Sequence, residues 1–188
     1  MVIRKSRVFF AINFSEKIQQ ILKEILVTLQ RSTLAKNVRW TPWYNLHITL
    51  GFLGNIQVEH ISQLIANARK ELSHSHSFAL RLERLQWFPN AKRPRIISVE
   101  AGPSAALNEI AHCIRQAIII TNYPAEMRAY RGHLTLGRLR TTHFEKNLFE
   151  QIQLPIIPEI IITQIDLLES KPGKEVPCYI PLAHFNLK

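Results

Sequence analysis

Cysteine is scarce. The two in 188 residues, Cys113 and Cys178, form no C-x-x-C pair and no metal-ligand spacing, so neither a disulfide framework nor a zinc–thiolate site is expected. Cys113 lies in an apolar helical stretch and reads as a buried free thiol, which suits a cytoplasmic residence. Glycines number six, and none sits in a Walker-type phosphate loop or a nucleophile elbow, which argues against ATP use and against a serine-type triad. Acidic residues are few, 14 against 24 Lys and Arg, for a formal net charge of +10. That balance favours a polyanionic partner, nucleic acid above all, although a basic solubilising surface would give the same number. Long apolar runs are missing too. The stretch Val8–Ile12 follows Arg4, Lys5 and Arg7 but ends at Asn13, too short for a signal peptide, and nothing is long enough to span a bilayer. No membrane partner is expected.

What the chain does contain is a repeat. His47-Ile48-Thr49-Leu50-Gly51-Phe52-Leu53 returns 86 residues later as His133-Leu134-Thr135-Leu136-Gly137-Arg138-Leu139, with five of seven positions identical. Both copies are rich in β-branched and apolar residues and read as strands. Strand side chains alternate between faces, so His47 and Thr49 share one face with Ile48 and Leu50 behind them. His133 and Thr135 likewise share a face, backed by Leu134 and Leu136. If the two strands lie side by side, two imidazoles and two hydroxyls meet in one cleft.

The rest of the chain supplies the scaffold. Strands are expected at 7–14, 38–40, 78–88, 95–100, 159–169 and 178–187, with a turn at Ser170–Gly173 making a terminal hairpin of the last two. Apolar stripes predict helices over 15–30, capped by Ser15, over 58–72 and over 104–119, and a short one at 143–151. Residues 122–131 read as loop. This order lacks the regular strand–helix alternation of a doubly wound parallel sheet. It fits an α+β fold of two pseudo-symmetric, antiparallel-rich lobes with outer helices and a central cleft, forming one domain over 1–188.

Two histidines in one cleft suit acid–base chemistry near neutral pH, one imidazole accepting a proton while the other donates one. Threonine hydroxyls can donate hydrogen bonds to phosphoryl oxygens. Neither copy carries an H-E-x-x-H or a carboxylate at ligand spacing, so no metal and no cofactor are expected. His60, His74, His76, His112, His143 and His184 lie outside the repeated frame and read as surface or structural. Trp40 and Trp43 read as packing of the cleft wall. The basic residues Lys92, Arg93, Arg95, Arg128, Arg131 and Arg140 are candidates for nucleic-acid phosphate contacts.

These residues resemble the 2H phosphoesterases, named for two H-x-T-x motifs, and within them the RNA 2′,3′-cyclic phosphodiesterases or 2′–5′ RNA ligases (LigT-like). Arg7–Ile12 resembles the family's opening strand. Val38-Arg39-Trp40 with Asn45–Leu50 and Phe52-Leu53-Gly54 resembles its first signature, Arg131–Arg138 its second, and Leu168-Glu169-Ser170 with Pro172-Gly173 and Tyr179 its closing hairpin. The resemblance implies hydrolysis of an RNA 2′,3′-cyclic phosphate to a 2′-phosphate, possible reversal as 2′–5′ ligation, and a monomer acting on RNA ends, tRNA among them. It makes His47 the proton donor and His133 the acceptor, with Thr49, Thr135 and Arg138 binding phosphate. Phe10 takes the place of a base-contacting aromatic. On a regular strand Arg138 would face away from His133 and Thr135, so a bulge or strand end near Gly137 is needed to turn it inward. Gly132 stands where many relatives carry Pro. An RNA-end-binding protein and a phosphodiesterase for a small cyclic or 2′–5′ nucleotide are the alternatives.

Overall fold

A computed structural model describes residues 4–32, 36–140, 149, 152 and 155–188. Among them are nine strands and three α-helices: β1 (Lys5–Ile12), α1 (Glu16–Gln30), β2 (Val38–Trp40), β3 (Ile48–Gln57), α2 (Ile61–Glu71), β4 (Phe78–Phe88), β5 (Ile96–Gly102), α3 (Ser104–Ile120), β6 (His133–Leu139), β7 (Ile160–Ile162), β8 (Gln164–Lys171) and β9 (Cys178–Asn186). The fold is α+β, with a curled antiparallel sheet. The helix expected over 143–151 lies outside the described residues.

The sheet order is β7-β4-β5-β6-β3-β1-β8-β9, with β2 paired beside β6. The order itself requires the curl. β7 ends at Ile162 and β8 begins at Gln164, yet six inter-strand steps separate them, about 29 Å in a flat sheet at ~4.8 Å per step. A single intervening residue cannot bridge that distance, so the sheet bends round. The ends are also tied: Ser77 N–H donates to Lys188 O at 2.6 Å, and Leu187 N–H donates to Thr163 O at 2.8 Å. The single strand expected over 159–169 is therefore two. The chain changes partners at Thr163, from β4 on one side to β1 and β9 on the other.

Helices cover one face. The stripe of α1 (Ile18, Leu22, Ile25, Leu26, Leu29) and that of α3 (Leu107, Ile110, Ile114, Ala117, Ile118) join Ile48, Leu50, Leu134 and Leu136 in one core. Ser15 does precede α1, but its hydroxyl makes no cap hydrogen bond; its carbonyl accepts the Gln19 N–H instead.

The two repeat copies meet at the centre of this order. In the β3–β6 pairing Ile48 stands opposite Leu134, the same position of each copy. A pair made of equivalent residues defines a local two-fold axis, and each copy then meets its own image. Each copy also carries the same irregularity. Phe10 and Ala11 of β1 face Gly51 and Thr49, skipping Leu50. Ile97 and Ser98 of β5 face Gly137 and Thr135, skipping Leu136. The Leu of each His-x-Thr-Leu-Gly is thus a β-bulge, an extra residue that shifts the alternation by one.

The glycine after each bulge lets another element close in. A Cβ on Gly51 would lie 2.6 Å from Ile114 Cγ2 of α3. One on Gly137 would overlap Val38 Cγ1 and sit 3.1 Å from Trp40 Cε3 and 3.2 Å from Arg39 O. Because backbone is among those neighbours, Gly137→Ala is expected to destabilise the protein by about 1–3 kcal/mol, read as a lower midpoint in denaturant unfolding. An unchanged midpoint would contradict this packing.

Candidate functional site

The register centred on Ile48 and Leu134 brings His47 beside Thr135 and Thr49 beside His133 on the face away from the helices. Both imidazoles are held in the same way. His47 Nδ1 lies 2.8 Å from Asn45 O, and His133 Nδ1 lies 2.8 Å from Arg131 O, each carbonyl two residues upstream. A carbonyl only accepts, so each Nδ1 carries its hydrogen and each Nε2 is left for the open face. His47 Nε2 is 3.1 Å from Thr49 Oγ1. Tyr130 donates its hydroxyl hydrogen to Thr49 O at 2.9 Å and so braces the backbone between the copies. Asn45, in a short turn before β3, is itself anchored by its Nδ2 donating to Pro177 O at 2.8 Å.

Aromatic rings wall both imidazoles. His133 stacks on Phe88, centroids 4.0 Å apart and planes 21° apart, and the Arg131 guanidinium lies 4.9 Å from the same Phe88 ring. On the other half, Phe9 and Tyr179 lie 5.0 and 5.2 Å from the His47 ring.

The bulge at Leu136 decides where Arg138 goes. Gly137 stands opposite Ile97, a core residue, whereas Arg138 stands opposite Ile96, which shares the face of Ser98 and Thr135. Arg138 is therefore on the histidine face and exposed. Phe52, its counterpart in the first copy, is also exposed there, with the Arg7 guanidinium 5.0 Å from its ring centroid.

Comparisons with known proteins find relatives in sequence and in fold. The family model described as LigT like Phosphoesterase matches residues 12–98, which include the first His-x-Thr copy. An RNA 2′,3′-cyclic phosphodiesterase of Methanocaldococcus jannaschii is 29% identical over 78% of this chain and 79% of its own length. One of Thermotoga maritima is 23% identical over 92% and 91%. The crystal structure of E. coli LigT complexed with NADP+ superposes with a TM-score of 0.79 at 22% identity, covering 98% of each chain. The chain thus resembles the LigT-like phosphoesterases in sequence over residues 12–98 and in fold over nearly its whole length.

In this site, one expected residue is on the wrong face. Phe10 is fully buried, packs in the helix-side core and lies 5.8 Å from the Phe185 ring. It cannot contact a base. Its neighbour Phe9 faces the histidines instead, clustered with Ala11, Leu168 and Tyr179. Both faces of β1 are apolar and buried, so composition alone does not say which phenylalanine faces the site. Trp40 and Trp43 also lie elsewhere than expected. They pack on the core side beside α1, where Lys23 Nζ is 5.3 Å from the Trp43 ring. Gly132 is closely packed: a Cβ there would lie 2.6 Å from Leu107 Cδ1. Of the other histidines, His60 and His184 are structural, bonded to Tyr123 Oη and Asp166 Oδ1; His143 lies outside the described residues. Among the described residues no group of three His, Cys, Asp or Glu side chains is placed to hold a metal ion, and no helix is long and apolar enough to cross a membrane. Of the basic candidates, Arg128 is engaged by Glu126, and Lys92 and Arg93 donate backbone N–H groups to Asn90 Oδ1. Asn45, Phe9, Phe88, Tyr130 and the Arg131 carbonyl were not singled out in the sequence.

Both imidazoles are held below the usual histidine range. For His47 the largest cause is burial; the Asn45 carbonyl opposes it, and the charge of a protonated His133 adds to it. For His133 burial again leads, opposed by the Arg131 carbonyl, and the positive charges of Arg131 and Arg138 lower it further. Removing a positive neighbour relieves that repulsion of the imidazolium, so Arg138→Gln is expected to raise the pKa of His133 and leave that of His47 nearly unchanged. Ring-proton NMR titration reads this directly; equal shifts at both rings would contradict the placement of Arg138.

Proposed function

We propose that this chain hydrolyses RNA 2′,3′-cyclic phosphate ends to 2′-phosphomonoesters by metal-independent acid–base catalysis. The observation that carries the proposal is the matched pair of histidines, each with Nδ1 on an i−2 carbonyl and Nε2 turned to one face. His133 Nε2 takes a proton from water as the water oxygen attacks phosphorus. The bond from phosphorus to the 3′ oxygen breaks, and His47 Nε2–H protonates that oxygen. The phosphate stays on the 2′ oxygen. Thr49 and Thr135 donate hydrogen bonds to the non-bridging oxygens, and the Arg138 guanidinium offsets the charge that gathers there.

The assignment of roles has electrostatic support. Arg131 and Arg138 both disfavour a charged His133, which suits a base that must begin neutral. His47 has no arginine among the causes of its shift, so an anionic substrate can restore its proton more readily. The names of the curated relatives, RNA 2′,3′-cyclic phosphodiesterases, support the same substrate class. With an RNA 5′-hydroxyl in place of water, the same proton transfers would join ends through a 2′–5′ bond.

His47→Ala and His133→Ala are each expected to cut turnover of cyclic-ended RNA by about 10²- to 10⁴-fold with the unfolding midpoint retained. Wild-type activity should persist in EDTA and yield only 2′-phosphate ends. Full activity in both variants, or a 3′-phosphate product, would overturn the mechanism; tight RNA binding without hydrolysis would instead favour an end-binding protein.

A further inference from the structure

The bulge at Leu136 has a second consequence, on β2. Arg39 stands directly opposite Arg138 in the β2–β6 pairing. Val38 and Trp40, on either side of it, face the core, so Arg39 shares the histidine face with Arg138. Both arginines are exposed. Among the described residues neither has a carboxylate partner. Like charges directly opposite across an antiparallel pair are destabilising. An isolated arginine on this surface would be unremarkable, but two cross-strand guanidinium groups at the end of the catalytic strand make a forked donor set suited to a phosphate diester. The cross-strand pair lies five residues, about 16 Å, along β6 from the backbone of His133, at ~3.3 Å per residue. From there the positive charge of Arg138 acts on both His133 and Tyr179. Arg39 lies one strand beyond Arg138 in the sheet.

We propose that Arg39, side by side with Arg138, forms a second phosphate site that holds an internucleotide phosphate upstream of the cyclic end. This rests on the cyclic-phosphodiesterase reading and sharpens it: the substrate class is an oligoribonucleotide with a cyclic end rather than a 2′,3′-cyclic mononucleotide. Cation–phosphate contact of this kind gives affinity without base specificity, so the preference is for chain length and not for sequence.

The test compares two substrates, a 2′,3′-cyclic mononucleotide and a short RNA oligomer with a 2′,3′-cyclic end, across wild type, Arg39→Gln and Arg69→Gln. Arg69 is an exposed residue of α2 and controls for the loss of one charge. Wild type is expected to show the higher kcat/KM on the oligomer. Arg39→Gln should lose about tenfold more kcat/KM on the oligomer than on the mononucleotide, chiefly through KM, and its log–log salt slope for the oligomer should fall by about 0.7. Arg69→Gln should change neither substrate's ratio to wild type. Equal losses of Arg39→Gln on both substrates, no loss on either, or a like effect of Arg69→Gln would overturn the second site while leaving the hydrolase reading intact. A wild type inert towards both substrates would overturn the hydrolase reading and this site with it.

Discussion

Ile48 and Leu134 touch across the centre of the sheet, each fully buried, and the site depends on that contact. They occupy the same position in two copies of one heptad, so pairing them relates the copies by a local two-fold axis. His47 then comes beside Thr135, and His133 beside Thr49. Apolar burial fixes the register, because a slip of one residue in either strand would send its histidine into the helix-side core and its Ile48 or Leu134 to the open face. The tie between Lys188 and the segment before β4 and the change of partner at Thr163 hold the curl that turns this face into a cleft.

The two-fold is a property of the backbone and not of the charges. Each copy bulges at its Leu, and each bulge turns the residue after Gly towards the histidines. In the first copy that residue is Phe52, beside Arg7; in the second it is Arg138, beside Arg39. One duplicated frame thus sets rings against both imidazoles but arginine charge beside His133 alone. On the proposed acid–base reading, this difference lets the two histidines begin in different protonation states.

The frame was legible in the sequence because it rests on local alternation. The faces of His47, Thr49, His133 and Thr135 follow from period-2 alternation, and the helix stripes of α1 and α3 follow from their 3.6-residue period. What was not legible depends on partner strands. The bulge at Leu136 exists only in its pairing with β5, so the face of Arg138 was left conditional on it. Phe9 and Phe10 could not be told apart because β1 is buried on both sides. The break at Thr163 lies in a run of isoleucines whose local pattern is continuous and whose change of partner is tertiary. The i−2 carbonyls that set both tautomers are backbone groups, which no side-chain pattern reports.

The central claim is that the two copies act as one catalytic unit, and a double-variant cycle tests it most directly. Single-turnover hydrolysis of cyclic-ended RNA is measured for wild type, the two single histidine-to-alanine variants at 47 and 133, and the double variant. Groups that share one transition state are strongly non-additive, so the double variant is predicted to be about as slow as the slower single variant. A double variant whose loss equals the product of the two single losses would show that the histidines act independently and would contradict the account.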